Sequence, residues 1–93
     1  MAEDIFQQIR SQVEKDKVVV YMKGSPEAPQ CGFSNTVCQA LRAVETPFAS
    51  YDVLSDPTLR EGIKQYSSWP TIPQLYVDGE FVGGCDIVVG LYE

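Results

Sequence analysis

Strand and helix patterns alternate along this 93-residue chain and a hairpin signal follows them, with no repeat, linker or low-complexity stretch between. Together these predict a small α/β domain in which helices connect parallel strands and a hairpin completes the sheet. At 44% hydrophobic content, 93 residues suit a single domain, 1–93, near the lower size limit for folding without a metal or disulfide staple.

Ile5, Phe6, Ile9 and Val13 recur at helical spacing, and the β-branched run from Val18 to Met22 then reads as a buried strand. Gly24 to Gln30 holds Pro26 and Pro29 and is expected to be irregular. That loop delivers Cys31 to the start of a second helix, which carries Phe33, Val37, Leu41 and Val44 along one face. Phe48 to Val53 reads as another strand. Asp56-Pro57 then supplies the cap and first residue of a helix with Leu59, Ile63 and Tyr66 on one side. Gln74 to Val77 and Glu80 to Val82 flank Asp78-Gly79, a dipeptide suited to a type I′ turn. Gly83-Gly84 leads into Asp86 and an apolar stretch, and the chain stops at Glu93 inside what reads as a truncated last helix.

Seven Lys and Arg against thirteen Asp and Glu, with no His, give a net charge of -6. That charge opposes attraction to phosphate backbones and anionic lipid, so neither nucleic acid nor a membrane is an expected partner. Without His the chain lacks the usual base for activating a nucleophile and the commonest nitrogen ligand for zinc. Any reactive cysteine must therefore be activated by backbone groups and cations. Three cysteines at irregular spacing do not form an even disulfide framework, which points to a reducing compartment. The longest apolar runs are too short to span a bilayer, and Glu3 and Asp4 argue against a targeting segment, so the chain is expected to be soluble and mature.

The tetrapeptide Cys31-Gly32-Phe33-Ser34, with Tyr21-Met22-Lys23-Gly24, Trp69-Pro70-Thr71-Ile72-Pro73-Gln74 and Gly83-Gly84-Cys85-Asp86, resembles the monothiol glutaredoxins of CGFS type. The motifs stand in the family's order and spacing over nearly the whole chain. The resemblance implies a thioredoxin fold, with a four-stranded mixed sheet flanked by helices. Two features depart from the family: the chain ends before the last helix reaches its usual length, and Cys38 lies outside the signature.

A thiol at a helix start sits among unpaired N–H groups and at the positive end of the macrodipole, both of which favour thiolate. Pro29, Gln30 and Gly32 place Cys31 in an exposed turn rather than a core. Where a CxxC motif has its second thiol this chain has Ser34, so no intramolecular disulfide can form at the motif. A one-cysteine cycle with glutathione, or ligation of a soft metal, remains. Seven residues separate Lys23 from Cys31, a longer loop than dithiol members have, which by resemblance goes with weak reductase activity.

A [2Fe-2S] cluster takes four ligands, normally thiolates, and Cys31 is the one good candidate here. The resemblance implies that a second copy supplies its own Cys31 and two glutathione molecules supply the rest, so that the cluster bridges a homodimer. Cys38 lies seven residues on from Cys31, on the same helix face but about 10 Å away along the axis, and reads as core beside Val37 and Leu41. For Cys85 two roles stand open: a backbone contact for glutathione at the rim of the site, or a resolving thiol under oxidation.

Glutathione carries two carboxylates and an ammonium, so its site needs cations and N–H groups at two ends and an acceptor at one. Lys23 and Arg60 match family positions for the glycyl carboxylate, whereas Lys64, four residues beyond Arg60, reads as an ordinary solvated helix face. Gly32 and Phe33 follow Cys31 and belong with the binding residues; Phe33 and Trp69 are aromatic neighbours of the groove or else core. Pro73 matches the family's cis-proline, leaving backbone groups of Ile72 to pair with an extended peptide. Asp86 suits both the cap of the last helix and the glutathione ammonium, and the N–H groups of Cys85 and Asp86 suit the glutamyl carboxylate.

The resemblance therefore implies a carrier in iron-sulfur cluster assembly and transfer to apo-proteins, and in iron and redox homeostasis, with at most weak enzymatic activity. The alternative is a glutathione-dependent oxidoreductase that deglutathionylates proteins through Cys31. A BolA-like partner sharing the cluster is a further expectation from relatives. The expected compartment is the cytoplasm, or a mitochondrial or plastid matrix.

Overall fold

The computed structural model describes residues 2–84; the expected last helix, with Cys85 and Asp86, lies outside them. The first helix, α1 (Ala2–Lys15), turns Ile5, Ile9 and Val13 inward, as their spacing predicts. All five residues of β1 (Val18–Met22) are buried, and they alternate between two cores. Val19 and Tyr21 join one cluster while Val18, Val20 and Met22 join the other. A continuous apolar run is what a central strand with helices over both faces requires.

β1 pairs in parallel with β4 (Ala49–Asp52) and antiparallel with β5 (Gln74–Val77), and β6 (Glu80–Gly83) flanks β5. The resulting four-stranded mixed sheet, order β4-β1-β5-β6, is the arrangement the resemblance implied. Helices α1 and α3 (Pro57–Ser67) share one cluster with the sheet, and α2 (Gly32–Ala43) packs into the other. Gly62 lets α1 and α3 approach closely: a Cβ there would fall 2.6 Å from Cγ1 of Ile5. Asp56 caps α3 by accepting the Leu59 N–H at 3.1 Å, with Pro57 in the first turn. Asp78 and Gly79 both take positive φ, 52° and 81°, as a type I′ turn needs. No helix among the described residues is long and apolar enough to cross a membrane.

Two local expectations are corrected. Residues 24–30 are not irregular but fold into a short hairpin of β2 (Gly24–Ser25) and β3 (Ala28–Pro29). Strands of two residues ask for few ladder bonds, so a proline without an N–H is tolerated at the end of one. The Gly24 N–H leaves the ladder for the Asp52 carboxylate at 2.9 Å, which also takes the Leu54 N–H at 2.8 Å and ties the hairpin to β4. On α2 the buried stripe is Ser34, Val37, Cys38, Ala40 and Leu41, whereas Phe33 is 61% exposed and Val44 53%. Phe33 stands one helical step off the stripe, and Val44 is the cap residue beyond the last turn.

Candidate functional site

β1 runs out at Met22, and the β2–β3 hairpin folds the chain back so that the Gln30 N–H donates to the Lys23 carbonyl at 2.9 Å. This closure sets Cys31 as the cap residue of α2, extended at φ −151° and ψ 135°. No side-chain hydrogen bond closes that cap. The donors nearby act instead on the charged form: the Ser34 N–H lowers the Cys31 pKa most, burial opposes it, and the Phe33 N–H, the Lys23 ammonium and the Ser34 hydroxyl add to the lowering. The helix start thus favours the thiolate more than an ordinary cysteine's surroundings do.

Ser34 has no solvent exposure, and its Oγ accepts the Lys23 backbone N–H at 3.1 Å. Where a dithiol motif would place its second sulfur, this chain has a knot between the second helix and the end of β1. Cys38, two turns further along the same helix, is fully buried and donates to the Met22 sulfur at 3.6 Å. Burial pushes its thiol pKa up, with Arg42 opposing and Glu27 adding. Cys38 is therefore core, as its neighbours predicted.

Beside Cys31 opens a groove of about 470 Å³, walled by Lys23 and Phe33, by Arg60 and Lys64 from α3, and by the loop from Trp69 to Pro73. The Ile72–Pro73 bond is cis, the conformation the resemblance implied. Three of the chain's seven Lys and Arg side chains line this groove in a molecule of net charge -6, and among the described residues no carboxylate does. Such a concentration of one sign attracts a small anion. Lys64 lies 4.0 Å from Glu61, while the Arg60 Nε is buried without a hydrogen-bond partner among the described residues.

Of the residues anticipated from sequence, Lys23, Cys31, Phe33, Arg60, Ile72 and Pro73 meet around the groove. Gly32 stands beside it rather than in its wall, with nothing within 4 Å of where a Cβ would lie. Cys85 and Asp86 lie outside the described residues. Lys64, read as a solvated helix face, proves to be in the wall, as do Pro70, Thr71 and Gly84. The i, i+4 spacing put Lys64 on the same helix side as Arg60 without distinguishing a groove cation from a solvated one; for the loop residues the motif itself was the only signal. Trp69 and Phe33 are 41% and 61% exposed, so both belong to the groove and not to the core.

Among the described residues no three His, Cys, Asp or Glu side chains gather to hold a metal. A single helix-start thiol beside a cation-lined groove fits one ligand position of a cluster whose other ligands would come from elsewhere.

Residues 18–82 match the glutaredoxin family model. The chain is 59% identical over 81 residues to the chloroplastic monothiol glutaredoxin-S7 of Oryza sativa, covering 87% of this chain and 48% of that protein. Glutaredoxin 4 of Escherichia coli is 48% identical over 87 residues, covering 94% of this chain and 76% of the relative. The solution structure of reduced apo GrxS14 from poplar superposes with a TM-score of 0.81 at 53% identity, covering 92% of this chain and 79% of that one. The chain thus spans about half the length of the rice relative and three quarters of the bacterial one.

Proposed function

The chain belongs to the monothiol glutaredoxins, with their thioredoxin fold, and from that premise we propose that it binds glutathione beside Cys31 and carries a [2Fe-2S] cluster shared with a second copy of itself. The observation that carries this reading is the pairing of one activated thiol with a cation-lined groove and no second thiol at the motif.

Lys23 and Arg60 hold the glycyl carboxylate of glutathione, and the Ile72 backbone pairs with its extended peptide, so that its thiol is presented next to Cys31. The lowered pKa of Cys31 raises the share of ligating thiolate over that of an ordinary cysteine. Ser34 cannot compete for that sulfur by disulfide formation, and a dithiol cycle is closed off. The cluster is cargo, and because half of its thiolates belong to exchangeable small molecules it can pass to apo-protein recipients, or to a heterodimer with a BolA-like protein. Asp86 and the backbone at Cys85 complete the glutamyl end of the site in this reading.

Anaerobic reconstitution with iron, sulfide and glutathione, followed by absorption spectroscopy and size-exclusion chromatography, tests it. A coloured dimer that requires glutathione is expected. A colourless monomer that reduces glutathionylated protein through Cys31 would replace the carrier with the oxidoreductase.

A further inference from the structure

The loop that walls the groove is held from beneath by one buried amide. Gln74, the first residue of β5, has no solvent exposure. Its Nε2 donates to the Trp69 carbonyl at 3.0 Å and to the Thr71 carbonyl at 3.2 Å, while its Oε1 accepts the Tyr76 hydroxyl at 3.3 Å. Two carbonyl acceptors on one side demand the amide NH2 there, which leaves the oxygen for the phenol, so the partners themselves dictate which way the amide faces. Burial pushes the Tyr76 phenol up to about 12, and it stays a donor at neutral pH.

The consequence for the groove follows from peptide planarity. Among the described residues the one cis bond is Ile72–Pro73, so the Thr71–Ile72 peptide is trans and its N–H points opposite to its carbonyl. With the Thr71 carbonyl turned inward onto Gln74, the Ile72 N–H turns outward toward the groove that both residues line. An extended peptide pairs with a neighbouring backbone through such a donor. No other side chain of similar size does this: a carboxylate has no donor for the two carbonyls, and a thioether has neither donor nor acceptor strength. Without the amide, carbonyls facing the interior would be unsatisfied and the peptide would rotate toward water.

We propose that Gln74 is a positioning residue for glutathione, holding the Thr71–Ile72 peptide with its N–H facing the groove so that the incoming peptide meets a donor already oriented. This rests on the glutathione reading above. The role is exerted through Ile72, and Gln74 itself never touches the ligand.

The test compares wild type with Gln74→Met and Tyr76→Phe, the latter keeping the ring and removing only the phenol that orients the amide. Three quantities are read: glutathione affinity by calorimetry, the alkylation rate of Cys31, and the residual dipolar coupling of the Ile72 N–H without ligand. Gln74→Met is expected to weaken glutathione by about tenfold, the loss of one well-placed hydrogen bond. The Ile72 coupling changes with it, and Cys31 alkylation does not. Tyr76→Phe shifts affinity and coupling the same way by less, and it decides the matter alone if Gln74→Met fails to fold. Unchanged affinity in the folded variants overturns the proposal, as does a loss in which Cys31 reactivity falls in step, since that is general collapse. If wild type does not bind glutathione the functional reading fails instead, and an unchanged Ile72 coupling in the variants would overturn the role of Gln74 separately.

Discussion

Cys31 and Cys38 ride on one helix at the same angular position, yet their surroundings push them in opposite directions. At the helix start, Cys31 meets the free N–H groups of Ser34 and Phe33 and the Lys23 ammonium, and its pKa falls. Cys38 is packed against Met22 two turns further on, where desolvation raises its pKa. The same side chain is an activated thiol in one place and a small hydrophobe in the other. Reactivity here is a property of the helix terminus and the groove, not of cysteine.

The comparison breaks most visibly under alkylation. In the native chain, iodoacetamide is expected to modify Cys31 at least about a thousandfold faster than Cys38, because Cys38 reacts only through rare opening events; peptide mass spectrometry measures both rates in one sample. In denaturant the two rates converge. Comparable native rates would mean that Cys38 is not sealed in the core.

Ser34→Ala sharpens the Cys31 side. It removes the acceptor of the Lys23 N–H and a donor toward the Cys31 sulfur, so it is expected to cost about 1 to 3 kcal/mol in denaturant unfolding. The same variant moves the pH midpoint of Cys31 alkylation upward, and a midpoint that stays in place would remove the hydroxyl from the account.

Cys38→Ser tests the other side. A hydroxyl in place of the buried thiol costs about 1 to 2 kcal/mol, with glutathione affinity unchanged. The smallest effect is the pH dependence of stability. Below the ordinary thiol value of 9.0, once pH exceeds the lowered folded pKa of Cys31, the folded chain has released that proton while the unfolded chain keeps it, so stability rises with pH. Above 9.0 the unfolded chain releases the Cys38 proton while the folded chain keeps it, so stability falls. Cys31→Ser should flatten the rise and Cys38→Ala the onset of the fall between 9.0 and 10.0, above which the buried Tyr21 and Tyr76 phenols continue it, as pH-resolved urea titrations would show.

Much of this was legible in the residues. Val18 to Met22 is apolar at every position, which a strand covered on both faces explains, and Asp78-Gly79, set between two apolar runs, announced its turn by the positive φ values it takes easily. The pair Asp56-Pro57 marked the start of α3 for equally local reasons. What sequence hid was tertiary. Val44 fits the period of α2 but stands past its last turn, and Phe33 sits one step off the buried stripe, so periodicity alone overstated the apolar face. Lys64 carries no mark that separates a groove cation from a solvated one until α3 is packed against the Trp69–Pro73 loop. Gln74 was visible only as the end of a motif, because its work depends on carbonyls that face it in three dimensions.

The measurement that goes most directly to the central claim is iron and sulfide content with sizing after anaerobic reconstitution in glutathione, on Cys31→Ser and Cys38→Ser side by side. The account predicts that Cys38→Ser yields the same coloured, glutathione-dependent dimer as wild type and that Cys31→Ser stays colourless and monomeric. A cluster retained without Cys31, or lost with Cys38, would contradict it.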